Sequence, residues 1–376
     1  MTGKPACLPG LLILFGLASG AIAAEPPVRI GLSAPLTGPD AAFGAGLRQG
    51  AEQAVAEINR AGGAGGRRLA LVVGDDAGDG KQGAALARKF AAEGVSLVVG
   101  PLTSAVTAQA APVYEEAGIA LVSPGATWTP LTSRGLWNLF RTVPSDAQQG
   151  ALAGAYLADR YGGGRIALVH DKTSFGRGLA DEVGRKLRAR GTREVLFEGL
   201  ARGAKDAAEI VGKLKAARVD AVYFGGLAPE AALLIREMRE AGIEAPVVAS
   251  DGILDKDFGQ SAGAGAEGTL MTVAPEPRRL PDQKGGKPGP RTAEAEAVAA
   301  EAYAAVEILA QGIARAKSGD GRRVAAALHA GGPFRTLVGD IAFDAKGDPN
   351  PSDVNLRVWR RTPDGRLDYL GNELTQ

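Results

Sequence analysis

Cysteine is almost absent from this chain, occurring once, at Cys7. A single cysteine permits no intramolecular disulfide and no cysteine-ligated metal centre. Histidine is nearly as scarce: His170 and His329 are the only two and lie far apart, which gives a zinc site little to draw on. Aromatic residues make up 5% of the chain, too few for a platform on which bases stack. Neither sign of charge dominates, with 43 Lys+Arg against 42 Asp+Glu, so no nucleic-acid partner is expected. No short repeat stands out. No phosphate loop, nucleophile elbow or metal-ligand cluster is visible. The paired acids Asp75-Asp76 and Glu115-Glu116 are adjacent residues that do not face one substrate, and they read as solvated or capping groups. The chain is therefore not expected to be an enzyme, and no cofactor is expected.

The N-terminus carries an address. Lys4 is the only charge before Glu25, and residues 8–17 form an apolar run interrupted only by Pro9, Gly10 and Gly16. Ala21-Ile22-Ala23 supplies the small-x-small pattern of a signal-peptidase site. The run is too short to span a bilayer, which takes about 20 residues. Cys7 precedes it, whereas a lipoprotein cysteine follows it, so a lipid anchor is not expected. Residues 1–24 read as a signal peptide, cleaved after Ala23 or Ala24, and the mature chain would contain no cysteine.

Beyond it, apolar strands alternate with amphipathic helices. A strand at 28–32 leads into a helix carrying Leu47, Ala51, Val55 and Ile58 on one face, stopped by the glycine-rich run 61–66. Strands at 69–73, 95–99 and 119–122 follow, with helices at 81–92 and, interrupted near Pro112, after 99. A second set places strands at 166–170, 195–198, 221–224 and 247–249, with helices at 151–160, 178–190, 206–216 and 229–241. Near-continuous apolar strands between such helices indicate parallel sheets covered on both faces, one per half of the chain. Residues 274–291 hold Pro275, Pro277, Pro281, Pro288 and Pro290 and read as an extended, solvated loop. Helices at 293–316 and 324–329 and strands around 338–343, 354–360 and 367–370 complete the chain.

Three strand ends share a design. Gly31-Leu32-Ser33-Ala34-Pro35-Leu36-Thr37-Gly38-Pro39, Val99-Gly100-Pro101-Leu102-Thr103-Ser104 and Val122-Ser123-Pro124-Gly125-Ala126-Thr127 each open an apolar strand into a turn rich in Gly, Ser and Thr. Parallel α/β sheets bind ligands beyond the carboxyl ends of their strands, where helix N-termini offer unpaired N–H groups. Three such turns together make a cradle for a small anion such as a carboxylate.

Several segments carry a family resemblance: Gly50-Ala51-Glu52-Gln53-Ala54-Val55-Ala56-Glu57-Ile58-Asn59, Asp75-Asp76-Ala77, Tyr114-Glu115, Phe140-Arg141-Thr142, Val169-His170-Asp171-Lys172 and Phe224-Gly225-Gly226. The chain resembles the periplasmic leucine/isoleucine/valine-binding proteins, substrate-binding components of branched-chain amino acid ABC transporters, from about residue 28 to 370. The resemblance implies an α/β, type I periplasmic binding protein fold: two doubly wound lobes joined by a three-crossover hinge. Lobe one would comprise residues 25–145 and 273–351, lobe two 146–272 and 352–376. It also implies a monomer in the periplasm that delivers an amino acid to a transporter permease.

The same resemblance assigns the cradle. Ser104 and Thr127 match residues that hold an amino acid's α-carboxylate, Gly125 matches a carbonyl that accepts from the α-ammonium, and Leu102 and Thr103 line the same wall. A carboxylate needs donors but no full positive charge, which turn N–H groups and hydroxyls supply. The alternative for Ser104 and Thr127 is that each merely caps a helix. Asp251 aligns with the acidic partner of the α-ammonium, although the family commonly has a glutamate there. Phe43, Phe175, Leu227 and Val298 fall near the side-chain pocket, where relatives often place tyrosines; Trp128 either refills that space or lies at the surface. An apolar wall favours an aliphatic or aromatic ligand end. Besides a branched-chain amino acid carrier, a sensory ligand-binding component and a carrier of aromatic acids or small amides fit the pattern.

Export is directly testable. N-terminal sequencing of periplasmic material should begin at Ala24 or Glu25, and retention of Met1 there would overturn the signal-peptide assignment.

Overall fold

The computed structural model describes residues 25–255, 257–274, 280, 293–350 and 353–369. Residues 1–24, read above as a signal peptide, and nearly all of the proline-rich segment 274–291 lie outside these residues. The chain opens with β1 (Val28–Ala34), α1 (Ala41–Arg60), β2 (Leu69–Asp75), α2 (Gly80–Ala92), β3 (Leu97–Val99), α3 (Ser104–Glu116), β4 (Ala120–Ser123), α4 (Pro130–Ser133) and β5 (Leu139–Arg141). It continues with α5 (Asp146–Tyr161), β6 (Ile166–His170), α6 (Ser174–Ala189), β7 (Leu196–Gly199), α7 (Ala208–Ala217), β8 (Ala221–Gly225), α8 (Ala228–Glu240), β9 (Val247–Ala249), α9 (Phe258–Ala262) and β10 (Leu270–Val273). Then follow α10 (Ala293–Ala316), α11 (Gly321–Ala330), β11 (Phe334–Thr336), β12 (Gly339–Ile341), β13 (Asn355–Val358), β14 (Arg360–Arg361) and β15 (Leu367–Asp368).

Period-two alternation inside each strand fixes the layers. Ile30, Leu32, Leu97, Val99 and Val122 point into one core against α1, α10 and α11, while Val98, Leu121 and Leu139 enter a second core with Leu86, Phe90 and Tyr114 of α2 and α3. The other sheet repeats this arrangement. Val169, Val222, Phe224 and Val247 pack under α7 and α8, and Leu168, Tyr223 and Val248 pack under α5 and α6. Sheet one runs β2-β1-β3-β4-β5, all parallel; sheet two runs β13-β10-β9-β8-β6-β7, with only β13 antiparallel. In each sheet the second strand along the chain lies to one side of the first and the later ones to the other. The switch points therefore fall between β1 and β3 and between β6 and β8, where such sheets hold ligands. The chain passes between the sheets three times, from β5 to α5, from β10 to α10 and from β12 to β13.

Two local expectations need correction. Pro112 does not interrupt α3, which runs through it; its ring lies on the exposed side, where water can satisfy the carbonyl it leaves unpaired. Asp76 is not solvated: it is buried and accepts from Ser33 Oγ at 2.7 Å and from Gly78 N–H at 3.0 Å. Its neighbour Asp75 accepts from the N–H groups of Leu36 and Ala77 and from Thr37 Oγ1, pinning the turn after β1. The strands β5 and β10, not expected from the pattern, are only 3 and 4 residues long.

Helix α1 is clamped against α10 through glycines. A Cβ on Gly46 would stand 2.2 Å from Ala295 O, and one on Gly50 2.0 Å from Ala299 O. Gly50→Ala should therefore destabilise despite alanine's better helix propensity, by about 1–3 kcal/mol from overpacking against backbone. Chemical denaturation is the check, and an unchanged or raised midpoint would contradict this packing account.

Candidate functional site

The carboxyl ends of both sheets face one cleft of about 390 Å³, within the size range of small-molecule sites. It brings together all of Phe43, Leu102, Thr103, Ser104, Gly125, Thr127, Phe175, Leu227, Asp251 and Val298. Lobe one contributes the turns after β1, β3 and β4, and lobe two the segments after β6, β8 and β9. Val143, Val273, Ala274, Val298 and Glu301 line it from the crossovers and α10. Trp128 does not line it; half-buried, it packs beside Gly178 of α6. A second, open hollow of about 770 Å³ lies by α9 and the β14–β15 hairpin, away from the strand ends.

The cradle side is built from donors. Thr103, not Ser104, caps α3: its Oγ1 accepts from Val106 N–H at 3.3 Å. Thr107 N–H goes to Thr103 O, so the N–H groups of Ser104 and Ala105 are the open donors of the first turn. Ser104 Oγ accepts from Trp128 N–H at 3.2 Å, which leaves its own proton to donate. Thr127 caps no helix either, and its hydroxyl is buried without a well-formed hydrogen bond. Ser123 Oγ spans the two turns, donating to Pro101 O at 2.7 Å and accepting from Ala126 N–H at 3.0 Å. Gly125 is needed for clearance, since a Cβ there would stand 2.5 Å from Leu102 Cδ1.

The opposite wall presents acceptors. Asp251 Oδ2 accepts from Gln149 Nε2 at 2.9 Å, Gln149 Oε1 accepts from Thr272 Oγ1 at 2.8 Å, and Asp251 Oδ1 has no partner. Burial pushes the Asp251 carboxyl up from an ordinary 3.8 to about 6, against the Gln149 hydrogen bond that pulls it down. Asp171 Oδ1 takes Thr173 N–H and Oγ1, while its Oδ2 is shielded and unpaired. Among the described lining residues Arg202 is the only Lys or Arg, and it is engaged at the rim, 3.3 Å from Asp40 Oδ1 across the cleft. Asp251 and Asp171 thus each keep one shielded carboxyl oxygen without a hydrogen bond, an environment that suits a ligand with one positive group.

Arg202, Asp40, Asp171 and Glu301 escaped the sequence reading. Asp40 and Arg202 are 162 positions apart, and nothing local announces their meeting. Glu301 did leave a signal: it follows Val298 by one helical turn, a charge on the face that α10 buries.

A periplasmic binding protein family model matches residues 27–364. The chain is 46% identical to Leu/Ile/Val-binding protein homolog 1 of Brucella melitensis over 91% of this chain and 93% of that one. It is also similar to an ABC transporter substrate-binding protein from Desulfitobacterium hafniense solved in complex with Leu, at 30% identity and TM-score 0.69, covering 92% of this chain and 100% of that one. A third likeness is to the branched-chain amino acid transporter substrate binding protein LivJ from Streptococcus pneumoniae, in complex with isoleucine. It is 25% identical, with TM-score 0.73, over 91% and 98% of the two chains.

The raised Asp251 carboxyl has a consequence for the ligand-free protein. Its folded pKa exceeds the unfolded one, so the folded state holds the proton more tightly and stability falls as pH rises from about 4 through 6. Asp251→Asn removes that loss. Its melting temperature without ligand should exceed the wild type's by more at about pH 7.5 than at about pH 4.5, a differential on the order of 1–2 kcal/mol. Equal shifts at the two pH values would show that Asp251 is not held in this state.

Proposed function

This chain belongs to the periplasmic binding protein family, and from that premise we propose that it captures a small, branched-chain-sized α-amino acid and hands it to an ABC transporter permease. The observation that carries this reading is the opposition of open donors, the N–H groups of Ser104 and Ala105 and the Ser104 hydroxyl beside Thr127, to the unpaired Asp251 oxygen across the same cleft. A zwitterion satisfies both ends: its carboxylate takes N–H and hydroxyl donors on lobe one, and its ammonium meets Asp251 on lobe two. Phe43 and Leu102 face Phe175 and Leu227 and enclose the remainder of the ligand. We assign the lobes as residues 25–145 with 273–351, and 146–272 with 352–376. The exported chain acts as a monomer, by binding rather than by catalysis.

Because the two charged ends of the ligand sit on different lobes, the ligand binds the closed arrangement better than an open one. That differential affinity drives closure, and the permease reads the closed shape.

Calorimetry with Asp251→Ala separates this role from a structural one. A charged hydrogen bond contributes about 1.5–3 kcal/mol, so leucine affinity should fall roughly 10- to 150-fold while that of 4-methylpentanoate, which lacks the ammonium, changes little. Equal losses for both would make Asp251 a scaffold residue.

A further inference from the structure

Glu301 is an acid on the α10 side of the cleft that the zwitterion reading leaves unused. It projects from α10 and lines the cavity together with Val298, one helical turn before it. Its Oε2 is shielded from solvent and makes no well-formed hydrogen bond; the Thr142 hydroxyl, likewise buried without one, is the neighbour that partly offsets its burial. Among the described residues Arg202 is the only cation lining the cavity, and it is held at the rim between Asp40 and Glu230. Burial pushes the Glu301 carboxyl up to about 7, so near neutrality it can either accept or donate a hydrogen bond. A buried polar group facing a purely aliphatic ligand stays unsatisfied, and that penalty falls on the aliphatic complex.

We propose that Glu301 is a specificity-determining residue that hydrogen-bonds a polar group on the ligand's side chain, so that hydroxyl- or amide-bearing amino acids of branched-chain size are preferred over their aliphatic isosteres. The inference rests on the amino acid reading above. It places the α-carboxylate on the Ser104–Thr127 cradle and the side chain toward Val298 and Glu301. The chemistry matches: a hydroxyl or primary amide both donates and accepts, and so pairs with either form of the carboxyl.

Two near-isosteric ligand pairs test this, valine with threonine and leucine with asparagine, each titrated calorimetrically into the full mature chain. Wild type should bind the polar member of each pair about tenfold or more tightly than the aliphatic one. Glu301→Leu should reverse that order, and Glu301→Gln, which keeps a donor and an acceptor, should retain it. Should the leucine variant fail to fold, the wild-type ratios and the glutamine variant still decide: a wild type that prefers valine over threonine overturns the proposal. Unchanged ratios in Glu301→Leu overturn it too, leaving amino acid capture intact. Failure of wild type to bind any of the four overturns both readings together.

Discussion

The guanidinium of Arg141 is buried at the end of β5, where the first crossover leaves sheet one, and its bonds run in three directions. Nη1 donates to Ala126 O at 2.9 Å, Nη2 donates to Thr132 Oγ1 at 2.6 Å, and Nε pairs with Asp348 Oδ1 at 2.7 Å. The backbone follows the same path, with Arg141 N–H donating to Gly347 O and Thr142 N–H to Ser123 O. One side chain thus ties the turn that carries Gly125 and Thr127 to both the first and third crossovers. Isolating a cation from water costs several kcal/mol, and it is tolerable only because carbonyls, a hydroxyl and a carboxylate surround it. Arginine suits the post because its planar fork serves several acceptors at once, which lysine's point charge cannot. The cradle's open donors therefore keep their positions without a ligand to arrange them.

A different economy governs the acids. Asp146 is fully buried, both its carboxyl oxygens lack well-formed bonds, and burial raises it well above the ordinary carboxylate range despite the nearby Thr127 hydroxyl and Arg141. Asp171, Asp251 and Glu301 are raised for the same first reason. A sequence selected for stability alone would place apolar or paired groups there. Concentration of such groups around one cleft is the signature of a site whose satisfaction comes from outside the chain.

The sheet architecture was legible because its causes are local. The strand at 166–170 and the helix at 293–316 match the structure to the residue, since each is a long, regular pattern bounded by turn residues. β5 and β10 are short segments without a turn signal to set them apart, and their strand character comes from pairing with β4, β9 and β13. At the site, the three turns of lobe one were readable from their own composition. The lobe-two wall was reached only through family resemblance, because loops such as 171–175 and 227–229 acquire meaning from the strand order that brings them opposite. The capping alternative for Ser104 failed on one position: Thr103 has the extended backbone of an N-cap, and Ser104 is already inside the helix. Asp76 was misread because adjacent acids look solvated in sequence, whereas its partner Ser33 lies on a neighbouring strand.

The ion pair across the cleft mouth bears on what governs closure. Asp40 belongs to the turn before α1 and Arg202 to the segment after β7, so their contact exists only when the lobes approach. The arginine side chain is 32% exposed, and a partly solvated pair of this kind contributes about 0.2–1 kcal/mol. Turning a mostly open population into a mostly closed one takes about 5.5 kcal/mol. The rim pair therefore supplies a minor fraction and cannot hold the lobes shut unaided. Asp251 and Glu301 add a second constraint, since each buries a carboxyl oxygen without a well-formed hydrogen bond. On the capture mechanism proposed above, a bound ligand would satisfy those oxygens, and occupancy would then outweigh the rim pair in setting the conformation.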